Sequence, residues 1–129
     1  MLGSFAMVRR SLCLLALLIG ASALASARAE DVRFLSGAED LPLMPGLEEV
    51  PGESLAFDTP GGRLIEALAA GEVTVAAVEA FYDQTLPQLG WSVAGPRQYL
   101  REGEYLHIEF SEEGEGRLGV HFSLSPAPQ

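Results

Sequence analysis

Two histidines, His107 and His121, stand in runs that alternate apolar and polar side chains. In "YLHIEF" (Tyr105 to Phe110), period-two alternation puts Leu106, Ile108 and Phe110 on one face of a strand. Tyr105, His107 and Glu109 take the other. In "RLGVHFSLS" the inward set is Leu118, Val120, Phe122 and Leu124, and His121 faces out. If the hairpin pairs Ile108 with Val120, His107 lies directly opposite His121, with Cβ atoms about 4.5–5.5 Å apart. A register slipped by two residues makes them diagonal neighbours, about 7–8 Å apart. Glu109 shares their face. Two imidazoles and a carboxylate are ligand types for zinc or copper, so His107, His121 and Glu109 are the candidate metal ligands. Such a site would be shallow and short of a fourth protein ligand.

Other chemistry has less to stand on. The chain has one cysteine, Cys13, and no lysine, which removes thiolate and Schiff-base nucleophiles from residues 30–129. No Gly-x-Ser-x-Gly elbow is present. The pairs Glu48-Glu49 and Glu112-Glu113 fall in loop-like stretches without the burial that tunes a carboxyl group. "TPGG" (Thr59 to Gly62) joins two strands and opens no helix, so it cradles no phosphate. A small hydrolase would need a buried Ser–His–acid arrangement that strand alternation does not offer. These absences predict no catalytic residue and no cofactor.

The first thirty residues concern export. Arg9 and Arg10 precede an apolar run from Leu12 through Ala25, and "ARA" at Ala27 to Ala29 places small residues before Glu30. This is the pattern of a cleavable signal peptide, residues 1–29, cut after Ala29. The run falls short of the roughly 20 apolar residues that span a bilayer. Cys13 sits at the beginning of that run and follows "RRSL", so it is not a lipobox cysteine and leaves with the leader. The paired arginines read as ordinary n-region charge, favouring the general export route over the twin-arginine one. The expected product is periplasmic or secreted, with no membrane span.

From Glu30 to Gln129 there are 100 residues, a length that suits one domain and one modest core. All 18 carboxylates lie there against five arginines, a net charge of −13. A field of that sign repels phosphate backbones and anionic head groups, which excludes nucleic acid as a partner. A basic protein partner or a cationic ligand remains compatible. The chain is expected to be a monomer.

Residues 30–53, "EDVRFLSGAEDLPLMPGLEEVPGE", hold Pro42, Pro45 and Pro51, which cannot donate to a sheet ladder. They also hold Phe34, Leu35, Leu41, Leu43, Met44 and Leu47, too apolar to remain in water. The stretch reads as a proline-rich extended arm laid on the core. "SLAFD" (Ser54 to Asp58) alternates, with Leu55 and Phe57 on one face. "RLIEALA" (Arg63 to Ala69) reads as its partner strand, a short helix being the alternative.

"FYDQTLPQLGW" (Phe81 to Trp91) holds the densest run of aromatics. Thr74 suits an N-cap, with Val73 stapling onto Val78. Val75, Val78, Phe81 or Tyr82, Leu86 and Leu89 then recur at helical spacing. Pro87 loses the hydrogen bond to Asp83 and loosens the last turn. Gly90 suits the left-handed position that closes a helix, and Trp91 then plugs the corner between helix and sheet. An aromatic binding box is the rival reading, but the stretch is mainly architecture.

"WSVAGPRQYLR" reads as one strand bent at Gly95-Pro96, and "EGE" (Glu102 to Glu104) and "SEEGEG" (Ser111 to Gly116) as turns. The expected fold is α+β: a single antiparallel sheet with one helix packed on one face, in the order β-β-α-β-β-β. It occupies residues 54–125, with residues 126–129 as a disordered tail.

"LPLMPGL" (Leu41 to Leu47), "FDTPGGR" (Phe57 to Arg63) and "VEAFYDQTLPQLGW" (Val78 to Trp91) together resemble a loose group of small exported bacterial domains. That group shares Pro-x-x-Pro-Gly near the start and Phe-Tyr-x-x-x-Leu-x-x-x-Gly-Trp on the helix. The resemblance implies an envelope protein of unassigned function and carries over no catalytic residue. The expected function is thus a non-catalytic acidic module that binds an envelope protein or a small apolar ligand, on the open sheet face or beneath the arm. The alternatives are a periplasmic metal-handling protein using His107 and His121, and the small hydrolase.

Overall fold

The computed structural model describes residues 32–128. The leader, the cut after Ala29 and Cys13 lie outside the described residues. Nine strands and one helix follow in order: β1 Arg33–Leu35, β2 Ala38–Leu43, β3 Glu48–Glu49, β4 Leu55–Thr59, β5 Gly62–Gly71, α1 Val75–Thr85, β6 Ser92–Gly95, β7 Gln98–Arg101, β8 Glu104–Glu112 and β9 Leu118–Pro126. A 3-10 turn, Leu86–Leu89, extends α1.

This corrects the expected α+β arrangement of a single sheet with one helix in the order β-β-α-β-β-β. The described residues are mostly β, with 54% of them in strands. Among the described residues there are one short helix and two sheets, one of two strands (β1-β2) and one of seven. The seven-stranded sheet runs β3-β5-β9-β8-β7-β6, and β4 pairs with the other half of the β5 edge that β3 uses.

Two local features account for the difference. Ser36 and Gly37 turn the chain back, Gly37 at φ 82°, so the first half of the supposed arm becomes the hairpin β1-β2. Pro42 is accommodated within it opposite Phe34. In the second place, Arg97 takes a left-handed φ of 59° after Pro96, converting the expected bent strand into the tight hairpin β6-β7.

The core lies on one face of the seven-stranded sheet. Ile65, Ala67 and Ala69 from β5, Leu106 and Ile108 from β8, and Val120, Phe122 and Leu124 from β9 are all buried there. Helix α1 covers part of that face with Val78, Tyr82 and Leu86, and the Tyr82 and Phe122 rings meet edge to face at 5.4 Å. The β1-β2 hairpin and the segment after it cover more, burying Leu35, Ala38, Leu41, Leu43 and Leu47.

Polar contacts pin the hairpin down. The Tyr82 hydroxyl donates to Pro42 O (2.8 Å) and accepts from Met44 N–H (3.1 Å), clasping the end of β2 to the helix. At the other end, Arg63 donates to both Glu104 oxygens (2.6 and 3.0 Å) and to Asp40 Oδ2 (2.9 Å). Arg101 also bonds Asp40 Oδ2. Burial opposes ionisation of Asp40, but the bonds from Arg63 and Arg101 outweigh it and hold its carboxyl below the usual range. The same carboxylates raise the Arg63 guanidinium, Glu104 first and Asp40 second.

The helix begins and ends where its residues dictate. Thr74 Oγ1 accepts from Ala77 N–H (3.1 Å), forming the N-cap. The α-helix stops at Thr85, and Pro87 leaves a 3-10 turn that Gly90 closes at φ 94°. Trp91 follows, 2% exposed, at the helix–sheet corner. Gly71 has no substitute: a Cβ there would lie 2.0 Å from Gly46 O, where the β3 approach crosses β5.

Strand β9 continues past residue 125, pairing Pro126 with Glu104, and Ala127 N–H donates to Gly103 O (2.7 Å). Among the described residues no helix is long and apolar enough to cross a membrane.

Candidate binding face

The second face of the large sheet carries the histidines. Period-two alternation sends Leu55 and Phe57 of β4, Leu64, Glu66 and Leu68 of β5, and His121 and Ser123 of β9 to that side. Tyr105, His107 and Glu109 of β8 and Leu100 of β7 join them. The inner and outer sets are those that alternation predicts.

The register is the second of the two that alternation allows. Ile108 pairs with Phe122 rather than Val120, so His107 stands opposite Ser123 and Glu109 opposite His121. His107 and His121 are diagonal neighbours, the two-residue slip of the expected pairing. The cause is the five-residue connection between β8 and β9. Gly114, Glu115 and Gly116 all take positive φ (83°, 50° and 76°), which centres the turn on Glu115.

Each histidine consequently finds its own carboxylate. His121 Nε2 lies 2.9 Å from Glu66 Oε2, and His107 Nδ1 lies 3.6 Å from Glu109 Oε1. The proposed metal ligands His107, His121 and Glu109 do not converge. Among the described residues no group of three or more histidine, cysteine or acidic side chains is arranged to hold a metal ion. Ser123 Oγ donates to Glu66 Oε1 (2.8 Å). Serine and histidine therefore share a carboxylate that stands between them, and the imidazole is not placed to take the hydroxyl proton as a Ser–His–acid relay requires.

What the outer face does present is apolar surface. Leu55 is 55% exposed and Phe57 47% exposed, with Leu64 and Leu68 half-buried beside them. Leu100 is exposed farther across the sheet. A shallow depression of about 300 Å3, bounded by Glu53, Leu68, Glu109, Glu113 and His121, opens on the same side. Alternation in "SLAFD" signalled that Leu55 and Phe57 share a face, but nothing local said that it is the uncovered one. The surface beneath the hairpin is filled by the leucines of β1 and β2, leaving the outer face as the open one.

No protein-family model, no curated protein and no solved structure matches the chain.

Proposed function

We propose that the chain is a non-catalytic binding module of the cell envelope, exported behind residues 1–29 and holding another protein on the outer face of its seven-stranded sheet. The observation that carries this reading is the exposed pair Leu55 and Phe57 beside Leu64 and Leu68, on a face that no described element covers. Contiguous exposed apolar surface rimmed by polar groups marks interaction sites in soluble proteins. A small apolar ligand is less well supported, because Leu35, Leu41 and Leu47 occupy the space beneath the hairpin. The leader pattern, the acidic composition and the likeness to small exported domains support the compartment.

Two measurements test the two halves of the reading. N-terminal sequencing of the chain recovered from the envelope fraction should begin at Glu30; a full-length cytoplasmic product removes the compartment. A photo-crosslinking residue at Phe57 or Leu68 should give discrete protein adducts in cells, while one at Gln84, on the solvent side of α1, should not. Equal patterns from the two faces, or none from the outer one, would refute the binding face.

A further inference from the structure

The large sheet has several unpaired edges, and most are short or irregular: beyond its pairing with β7, β8 leaves only Glu109–Glu112 open, with a glutamate at each end. Strand β3 is two residues long. Strand β6 is four residues long and its pairing shifts between Val93 and Gly95. In the small sheet, β2 contains Pro42 and the pairing shifts between Phe34 and Leu35. Strand β4 is neither that short nor irregular, and its one charge is Asp58. It pairs with β5 through five consecutive residues without a bulge, and it contains no proline and no lysine. Natural sheets use such devices to keep edges from recruiting further strands, so an edge without them is prepared for one.

The chemistry of that edge can be read residue by residue. Pro60 and Gly61 form a two-residue turn, which makes Thr59 and Gly62 a hydrogen-bonded pair. Alternation from that pair bonds Phe57 and Leu55 to β5 and turns the main-chain N–H and C=O of Ala56 and Asp58 outward. An added strand would bond to Ala56 and Asp58, set side chains of one parity beside Leu55 and Phe57, and set the other parity beside Asp58.

Charge selects the occupant. All five arginines among the described residues lie off the outer face: Arg63 and Arg101 in the inner ion pairs, Arg97 over Phe110, Arg33 bonded to Leu47 O, and Arg117 in the β8-β9 loop. Asp58 stands on the edge strand, Glu66 opposite Leu55 and Glu53 two residues before it; Arg63, across from Asp58, is engaged by Asp40 and Glu104. A second copy of the chain would bring another −13 against them, which disfavours self-pairing.

We propose that the free edge of β4 receives an extended, cationic segment of the partner as an additional strand, with apolar residues beside Leu55 and Phe57 and a lysine or arginine beside Asp58. This rests on the outer-face reading above and assigns the partner's chemistry. Main-chain pairing would supply affinity and the alternate side chains specificity.

The test uses the mature chain and a short synthetic peptide alternating lysine and valine. Amide resonances of Ala56 and Asp58 should shift and gain exchange protection on titration. Three changes should each weaken binding by about tenfold or more, the equivalent of losing one net main-chain hydrogen bond or one charge pair: Ala56→Pro, N-methylation of alternate peptide residues, and replacement of the peptide lysines by glutamates. Because the Ala56 N–H is outside the ladder, A56P should leave the thermal transition in place. Asp58→Asn serves as a second variant should it not. No binding of the lysine–valine peptide, equal binding of the N-methylated or glutamate peptide, or protection elsewhere would overturn the proposal. So would a dimer in sedimentation that A56P dissociates. If crosslinks from Phe57 and Leu68 persist unchanged in A56P, strand addition fails and the outer-face reading stands; if they are absent in the parent, that reading itself has failed.

Discussion

The guanidinium carbon of Arg101 stands 4.4 Å from the centroid of the Trp91 ring, and the same guanidinium reaches Asp40 on the β1-β2 hairpin. One side chain thus ties together the end of the helix, the sheet and the segment that precedes them both. The indole fills the corner between α1 and β6, and the arginine roofs it.

Trp91→Ala empties that corner. The expected cost is about 3–5 kcal/mol, the range for truncating a large buried aromatic, and a large share of a small domain's stability. Denaturant unfolding measures it. A variant as stable as its parent would place Trp91 outside the core and revive the aromatic-box reading.

Tyr82→Phe removes the hydroxyl that satisfies both Pro42 O and Met44 N–H. Leaving buried main-chain groups unpaired should cost about 1–3 kcal/mol. The same tyrosine is held above its ordinary range by burial, as is Tyr99, with its hydrogen bond to Asp83 second. Tyrosines in the unfolded chain ionise near about pH 10 while these two keep their protons folded, so stability falls as pH rises above that point. Absorbance of ionised tyrosine should rise together with loss of structure. The alkaline loss should be shallower in Y82F.

Asp40 gives the acid limb. Its carboxyl is lowered despite burial, by Arg63 and Arg101, so the stability it contributes is present above about pH 3.9 and is lost as pH falls through its folded value. Solvent screens a carboxylate that is 37% exposed, so the effect is small. Asp40→Asn should flatten the stability profile in that window, read as the midpoint of urea unfolding against pH. An unchanged profile would mean that the hairpin is held by its leucines alone.

The sheet faces give a fourth expectation. His107→Thr and His121→Thr should leave folding intact, since both side chains lie on the outer face. Ile108→Asp or Val120→Asp should abolish it, because each would bury an unpaired carboxylate. Circular dichroism distinguishes the outcomes. Unfolded histidine variants with folded aspartate variants would invert the sheet.

Alternation in "YLHIEF" and "RLGVHFSLS" was enough to assign inner and outer faces, because parity is a property of each strand alone. Thr74, Pro87 and Gly90 likewise marked the helix start, its loosened last turn and its end through their own backbone chemistry. The excess of carboxylates over arginines set the charge expected of a partner, since a field of that sign repels phosphate backbones. What tertiary structure decided was everything that relates one segment to another. The slip that separates His107 from His121 came from three positive-φ residues in a loop, and no strand pattern encodes a register. The prolines of the first segment were legible as poor ladder donors, yet the turn at Gly37 and the clasp of Tyr82 made a hairpin of it. Leu55 and Phe57 were visibly on one side of a strand. Only the packing of α1 and that hairpin against the opposite face left them in water, because which face is buried depends on what arrives to cover it.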